Sequence, residues 1–281
     1  MKRSFVAFLC LSVSLPLAVF ADDSPDVTTD VVYAKRGDLE LKLDVYHPQT
    51  AASKQQPAVL VVHGGAWRHG NRKQLSRYAT ALSERGYVCF AIDYRLAPDH
   101  KFPAQIHDCR DAVLFIRENA ETYCVDPARV GAVGYSAGGH LVALLATTGE
   151  SGEAGDTRVQ AVVAGGAPTE FRFLPNSGQG LAYWLGEAHD DNDNHELASP
   201  TVHVSDDDCP VFFFNGDSDE LVPLSWTELL YTDLQEAGVP TVMHTIPGAG
   251  HLSAAINDDA LTAAWAFFDE HLRPDGPSLS R

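Results

Sequence analysis

Apolar residues recur along the chain in two rhythms. Leu39, Leu41, Leu43 and Val45 alternate with Glu40, Lys42 and Asp44. A period of two with one wet face predicts a strand at Leu39–Tyr46, paired through the turn Arg36-Gly37-Asp38 with Val27–Ala34. Further on the alternation gives way to short unbroken apolar runs at Pro57–Val62, Tyr87–Asp93, Arg129–Tyr135, Val159–Ala164, Val211–Asn215 and Thr241–Ile246. Strands buried on both faces read this way. Between these runs the apolar residues fall three and four apart. Asn71–Arg85 puts Leu75, Tyr78, Ala79 and Leu82 on one face and stops at Gly86. Pro103–Ala120, Ala137–Thr148, Leu224–Ala237 and Ala254–Leu272 are helical by the same spacing. Short strands alternating with helices predict an α/β fold: a mostly parallel central sheet, an antiparallel N-terminal hairpin, and helices on both faces. Thr169–Asp208 departs from the pattern. It is polar and irregular, with a short helical piece near Gln179–Leu185, and reads as an insertion that shapes a pocket.

Lys2 and Arg3 precede the apolar run Ser4–Phe20, and Val19-Phe20-Ala21 offers a small-x-small cleavage site before Asp22-Asp23. Residues 1–21 are expected to be a secretory signal peptide, and 22–281 a single domain outside the cytoplasm. Without Lys2 and Arg3, 18 Lys and Arg face 38 Asp and Glu, a formal charge of −20. Nucleic acid and anionic lipid would be repelled, so neither is an expected partner, and no membrane attachment is expected after cleavage. Cys89, Cys109, Cys124 and Cys209 match no zinc spacing. Export permits a disulfide among them, but the sequence does not choose the pair.

Candidate chemistry centres on Gly134-Tyr135-Ser136-Ala137-Gly138, a G-x-S-x-G pattern with an apolar strand before it and a helix after it. That setting is the nucleophile elbow of α/β-hydrolases. The flanking glycines suit a turn too tight for side chains, and the next helix starts at the serine, where backbone N–H groups meet developing negative charge. A serine hydroxyl needs a base, and the base needs an acid to hold its tautomer. In that fold the order is Ser, acid, His. His251 follows the last strand on the flexible turn Pro247-Gly248-Ala249-Gly250 and is the expected base. His244 lies inside the strand and is expected to be structural. Asp217, Asp219 and Glu220 compete for the acid, Asp217 reading best as a turn residue. His63-Gly64-Gly65-Ala66 follows another strand and is expected to supply oxyanion N–H groups from Gly65 and Ala66, joined by that of Ala137. His63 braces this loop. Trp67 and Tyr135 flank these groups and are expected to contact substrate. Asp93, Tyr94 and Arg95 are expected to hold a neighbouring loop. Asp190–Asn194 has the rhythm of a calcium loop, but His195 stands where glycine is needed and the closing glutamate is missing, so it reads as a solvated acidic loop.

His63-Gly64-Gly65-Ala66-Trp67, Asp93-Tyr94-Arg95-Leu96-Ala97-Pro98, Phe102-Pro103-Ala104, Gly134–His140 and Asn215-Gly216-x-x-Asp219-x-x-Val222-Pro223 occur in this order. In these motifs, from about Asp30 to Leu272, the chain resembles α/β-hydrolase carboxylesterases of the feruloyl and acetyl-xylan esterase kind, and more distantly the hormone-sensitive-lipase-like esterases. Tyr135 in place of aspartate, Ala66 in place of a third glycine and the missing helical cap favour the first branch. The resemblance implies a Ser136–Asp219–His251 triad, no cofactor and no metal. It also implies an ester substrate with a short acyl or feruloyl group, carried by a small molecule or a polysaccharide. Aryl-formamidases and prolyl-oligopeptidase-like exopeptidases share parts of the motif set. A binding protein on an inactive hydrolase scaffold is the alternative outside enzymology.

Overall fold

The computed structural model describes residues 26–49, 55–152, 155–172, 181–186 and 194–273. The expected signal peptide, most of Asp190–Asn194 and parts of Thr169–Asp208 lie outside them.

The chain opens with β1 (Asp26–Arg36), β2 (Leu39–His47) and β3 (Gln56–Val62), then α1 (Ser76–Glu84), β4 (Val88–Ile92) and α2 (Ala104–Glu118). The central β5 (Val125–Tyr135) leads into α3 (Ala137–Thr148). A small two-stranded ribbon, β6 (Ser151–Gly152) and β7 (Gly155–Asp156), precedes β8 (Ala161–Gly165), α4 (Ala182–Leu185) and α5 (Asn194–Leu197). The chain then runs through β9 (Val211–Gly216), α6 (Leu224–Glu236), β10 (Thr241–Ile246), α7 (His251–Ala254) and α8 (Asp258–Leu272).

Eight strands form one sheet in the order β1-β2-β4-β3-β5-β8-β9-β10. The β1–β2 and β2–β4 pairs are antiparallel and the rest parallel. Alternate residues of the parallel strands feed two separate cores. Leu60, Val62, Ala132, Val162 and Phe213 pack with α2 and α3 on one face. Val59, Val61, Val133, Val163 and Phe214 pack with α1 and α8 on the other. This explains why those strands read as unbroken apolar runs.

Two helix boundaries differ from the periodicity. Residues 71–75 are turns rather than helix: Asn71 accepts from the Lys73 amide, and the Arg72 amide is tied to Asp93. Such local side-chain bonds compete with the helical ladder. The last helix breaks in two, because Asn257 caps α8 by accepting from the Ala260 N–H at 2.9 Å. Cys89, Cys109, Cys124 and Cys209 are all free thiols.

Candidate active site

β5 ends in the elbow. Ser136 holds φ 58° and ψ −123°, a left-handed φ that L side chains rarely adopt. The two glycines make this possible: a Cβ at Gly134 would run into the Gly138 carbonyl, and one at Gly138 into the carbonyl of Val62. Two hydrogen bonds fix the serine backbone, its N–H donating to Gly165 at 2.8 Å and its carbonyl accepting from His140 at 2.9 Å. The His63–Trp67 loop lies against it, since a Cβ at Gly64 would sit 3.2 Å from the Ser136 Cβ. In that loop Gly65, Ala66 and Trp67 all have positive φ. Among the described residues the N–H groups of Gly65, Ala66 and Ala137 have no partner. Each belongs to the loop that lies against the serine or to the helix start that follows it.

The loops carrying Asp219 and His251 lie at the same sheet edge, after β9 and β10. His251 Nδ1 lies 2.7 Å from Asp219 Oδ2. Asp219 Oδ1 accepts from the N–H groups of Leu221 and Val222, each at 2.9 Å. The carboxylate is fully buried and the imidazole nearly so. With Nδ1 donating to the carboxylate, Nε2 is left as an acceptor. Of the three carboxylates expected to compete, Asp219 is the one that reaches His251. Glu220 and Asp217 are exposed, and Asp217 binds the loop carrying His251, accepting from the Gly248 N–H at 2.7 Å. His244 is half-buried in β10, with its ring 6.2 Å from that of Phe212. His251 borders the serine: a Cβ at Gly166, next to the Gly165 that holds the Ser136 N–H, would lie 3.2 Å from His251 Cε1. The Ser136 hydroxyl makes no hydrogen bond among the described residues.

Tyr135 and Trp67 are placed otherwise than the sequence implied. Tyr135 is buried, and its hydroxyl donates to the backbone carbonyl of His251. It anchors the histidine loop. Trp67 is 4% exposed. The positive φ values at Ala66 and Trp67 turn the indole inward, where it stacks on Trp184 with centroids 3.6 Å apart and planes 2° from parallel. Its Nε1–H donates to His140 Nδ1 at 3.1 Å. His140 Nε2 in turn reaches the carbonyl of Ala198 at 2.7 Å.

This cluster was not legible in the sequence. Trp184 and Ala198 belong to the insertion, and Tyr183 beside them donates to the Ala66 carbonyl at 2.8 Å. The described parts of Thr169–Asp208 thus hold the loop after β3. Full burial lowers the pKa of His140 to about 4. A histidine inside the otherwise apolar α3 was the available signal. His63 stacks on Tyr94 at 4.2 Å, its Nδ1 meets the Gly64 carbonyl at 2.7 Å, and its carbonyl accepts from the Tyr94 hydroxyl. Asp93 pairs with Arg72 and Arg95 with Asp108, each holding a loop. Among the described residues no group of three or more His, Cys, Asp or Glu is disposed to hold a metal ion, and no helix is long and apolar enough to cross a membrane.

The sequence profile of the BD-FAE family matches residues 43–234. Esterase LipQ of Mycobacterium tuberculosis is 30% identical over 80% of this chain and 56% of its own length. Esterase LipC of the same organism is 31% identical over 74% of this chain and 56% of its own. The chain therefore spans little more than half the length of these curated relatives. A solved structure described as a truncated carbohydrate esterase from gut microbiota superposes with a TM-score of 0.80 at 25% identity, covering 89% of this chain and 98% of that one. The profile match extends over most of the chain and takes in both the His63–Trp67 loop and the serine elbow, so the chain belongs to the BD-FAE family of α/β-hydrolases.

Proposed function

We propose that the chain is a carboxylic ester hydrolase working through an acyl-enzyme on Ser136. The observation that carries this reading is the buried Asp219–His251 pair, 2.7 Å apart, at the sheet edge where the elbow presents Ser136. His251 Nε2 takes the hydroxyl proton as Oγ attacks the ester carbonyl, and the carbonyl π electrons move onto oxygen. The N–H groups of Gly65, Ala66 and Ala137 receive that oxyanion, each donor contributing about 3–4 kcal/mol to the barrier reduction. Collapse of the intermediate breaks the C–O bond, and His251 returns its proton to the departing alcohol. Water then repeats the attack on the acyl-serine, releasing the acid and restoring the hydroxyl. Asp219 fixes the tautomer of His251 and stabilises its cation without itself being protonated.

Short acyl esters, acetyl or feruloyl, on a plant-type polysaccharide are the substrate we favour. The likeness to a carbohydrate esterase supports this choice. The test is a panel of 4-nitrophenyl esters of increasing acyl length, acetylated xylan, methyl ferulate and formylkynurenine, with the intact protein and its Ser136→Ala variant. Ser136-dependent release of acetate or ferulate is the expected result. Turnover confined to the formamide, or activity unchanged in Ser136→Ala, would overturn the proposal.

A further inference from the structure

Arg68 stands apart from the other arginines. Eleven others described donate to a carboxylate or to a backbone carbonyl. The Arg68 side chain has no ion pair and no hydrogen bond among the described residues; its guanidinium carbon lies 5.0 Å over the Tyr183 ring. It is also exposed, and it sits on the oxyanion loop, its backbone N–H donating to the Gly65 carbonyl at 3.1 Å. Tyr183 is the same residue whose hydroxyl donates to the Ala66 carbonyl. One ring therefore ties the guanidinium to the peptide that neighbours the expected oxyanion donors.

The chain as a whole carries a formal charge of −18, so its long-range field repels an anion. A cation with no carboxylate partner among the described residues, carried on the loop that lies against Ser136, is a local exception to that field. A cation–π contact with an aromatic face engages no N–H donor of the guanidinium in a hydrogen bond, so those donors can still meet a carboxylate. We propose that Arg68 is a specificity residue that favours esters bearing a carboxylate in addition to the ester being cleaved. The inference rests on the esterase reading above and adds a substrate class to it. The carboxylate can come from either side of the ester: from a dicarboxylic acyl group, or from an acidic alcohol such as a uronate-bearing sugar.

Two matched pairs separate these sources. Mono-4-nitrophenyl adipate against 4-nitrophenyl hexanoate places the charge on the acyl side. 4-Acetoxybenzoate against 4-acetoxybenzamide places it on the alcohol side. Each is measured with the wild type, Arg68→Gln, Arg68→Lys and Arg68→Glu, with Ser136→Ala turnover subtracted. Arg68→Gln is expected to lower the charged-to-neutral ratio of kcat/KM about fivefold in at least one pair, mainly through KM, as for a partly exposed ion pair. Lysine should restore part of the ratio and glutamate should lower it further. Unchanged ratios in both pairs, or equal losses on charged and neutral members, would overturn the proposal and leave Arg68 a brace for Tyr183. Absence of Ser136-dependent turnover on every neutral ester would instead overturn the esterase reading, and the proposal with it.

Discussion

His140 is held between two partners that make opposite demands on its ring nitrogens. The Trp67 indole can only donate, so Nδ1 must carry no proton; the Ala198 carbonyl can only accept, so Nε2 must carry one. A second proton would set N–H against N–H at Trp67 and bury a charge. Burial accordingly lowers the pKa of the ring to about 4. In the unfolded chain an imidazole titrates near ~6.5. Between those values the unfolded chain binds a proton that the folded chain refuses. Stability present in full above about pH 6.5 is therefore lost as the pH falls toward about 4, at no more than about 1.4 kcal/mol per pH unit and about 3 kcal/mol in all. The perturbation is His140→Gln, whose amide can still donate to Ala198 but does not titrate. Its cost at about pH 7 is about 1–3 kcal/mol, for a buried indole N–H left without an acceptor. The assay is urea unfolding followed by circular dichroism at about pH 7 and about pH 5. The stability gap between wild type and variant should narrow by about 2 kcal/mol over that interval. His63, whose pKa burial also lowers, titrates in both proteins and cancels in the difference. A gap that does not change with pH would refute a neutral His140 bridging Trp67 and Ala198.

Two further substitutions test the site and its scaffold. Asp219→Asn keeps an oxygen for the Leu221 and Val222 N–H groups but turns an amide donor toward His251 Nδ1, which forces the proton onto Nε2. kcat on 4-nitrophenyl acetate should fall by about 10³–10⁴ with little change in Tm, and a variant retaining more than about a tenth of the activity would count against Asp219. Arg72 donates to Asp30, Asp44 and Asp93, and the Asp44 side chain is only 2% exposed. Arg72→Met leaves that carboxylate buried without its cation and should cost about 3 kcal/mol in urea unfolding; a loss under about 1 kcal/mol would show that the triple pairing contributes little.

The sheet and the spacing of its strands were legible because burial on both faces leaves a direct mark, as in Pro57–Val62 and Val211–Asn215. The elbow was legible for a related reason. Gly134 and Gly138 are each pressed against a backbone carbonyl, so the fold dictates their identity locally. What the sequence concealed is what depends on partners far away along the chain. Trp67 follows two glycines at the mouth of the presumed site, and nothing local shows that positive φ at Ala66 and Trp67 turns its indole away from substrate. The partner that receives it, Trp184, lies in an insertion with no periodicity, and the histidine that joins them lies on a third element, α3. Three residues that are silent alone become one structure when stacked. Its connections reach the candidate site: α3 follows directly on Ser136, Trp67 continues the loop after β3, and Trp184 and Ala198 lie within Thr169–Asp208. Ser136 and the loop after β3 are thus braced by the segment that departs most from the regular α/β pattern. A change in that segment is expected to reach Ser136 through Trp67 and His140, even where it touches no residue of the candidate triad.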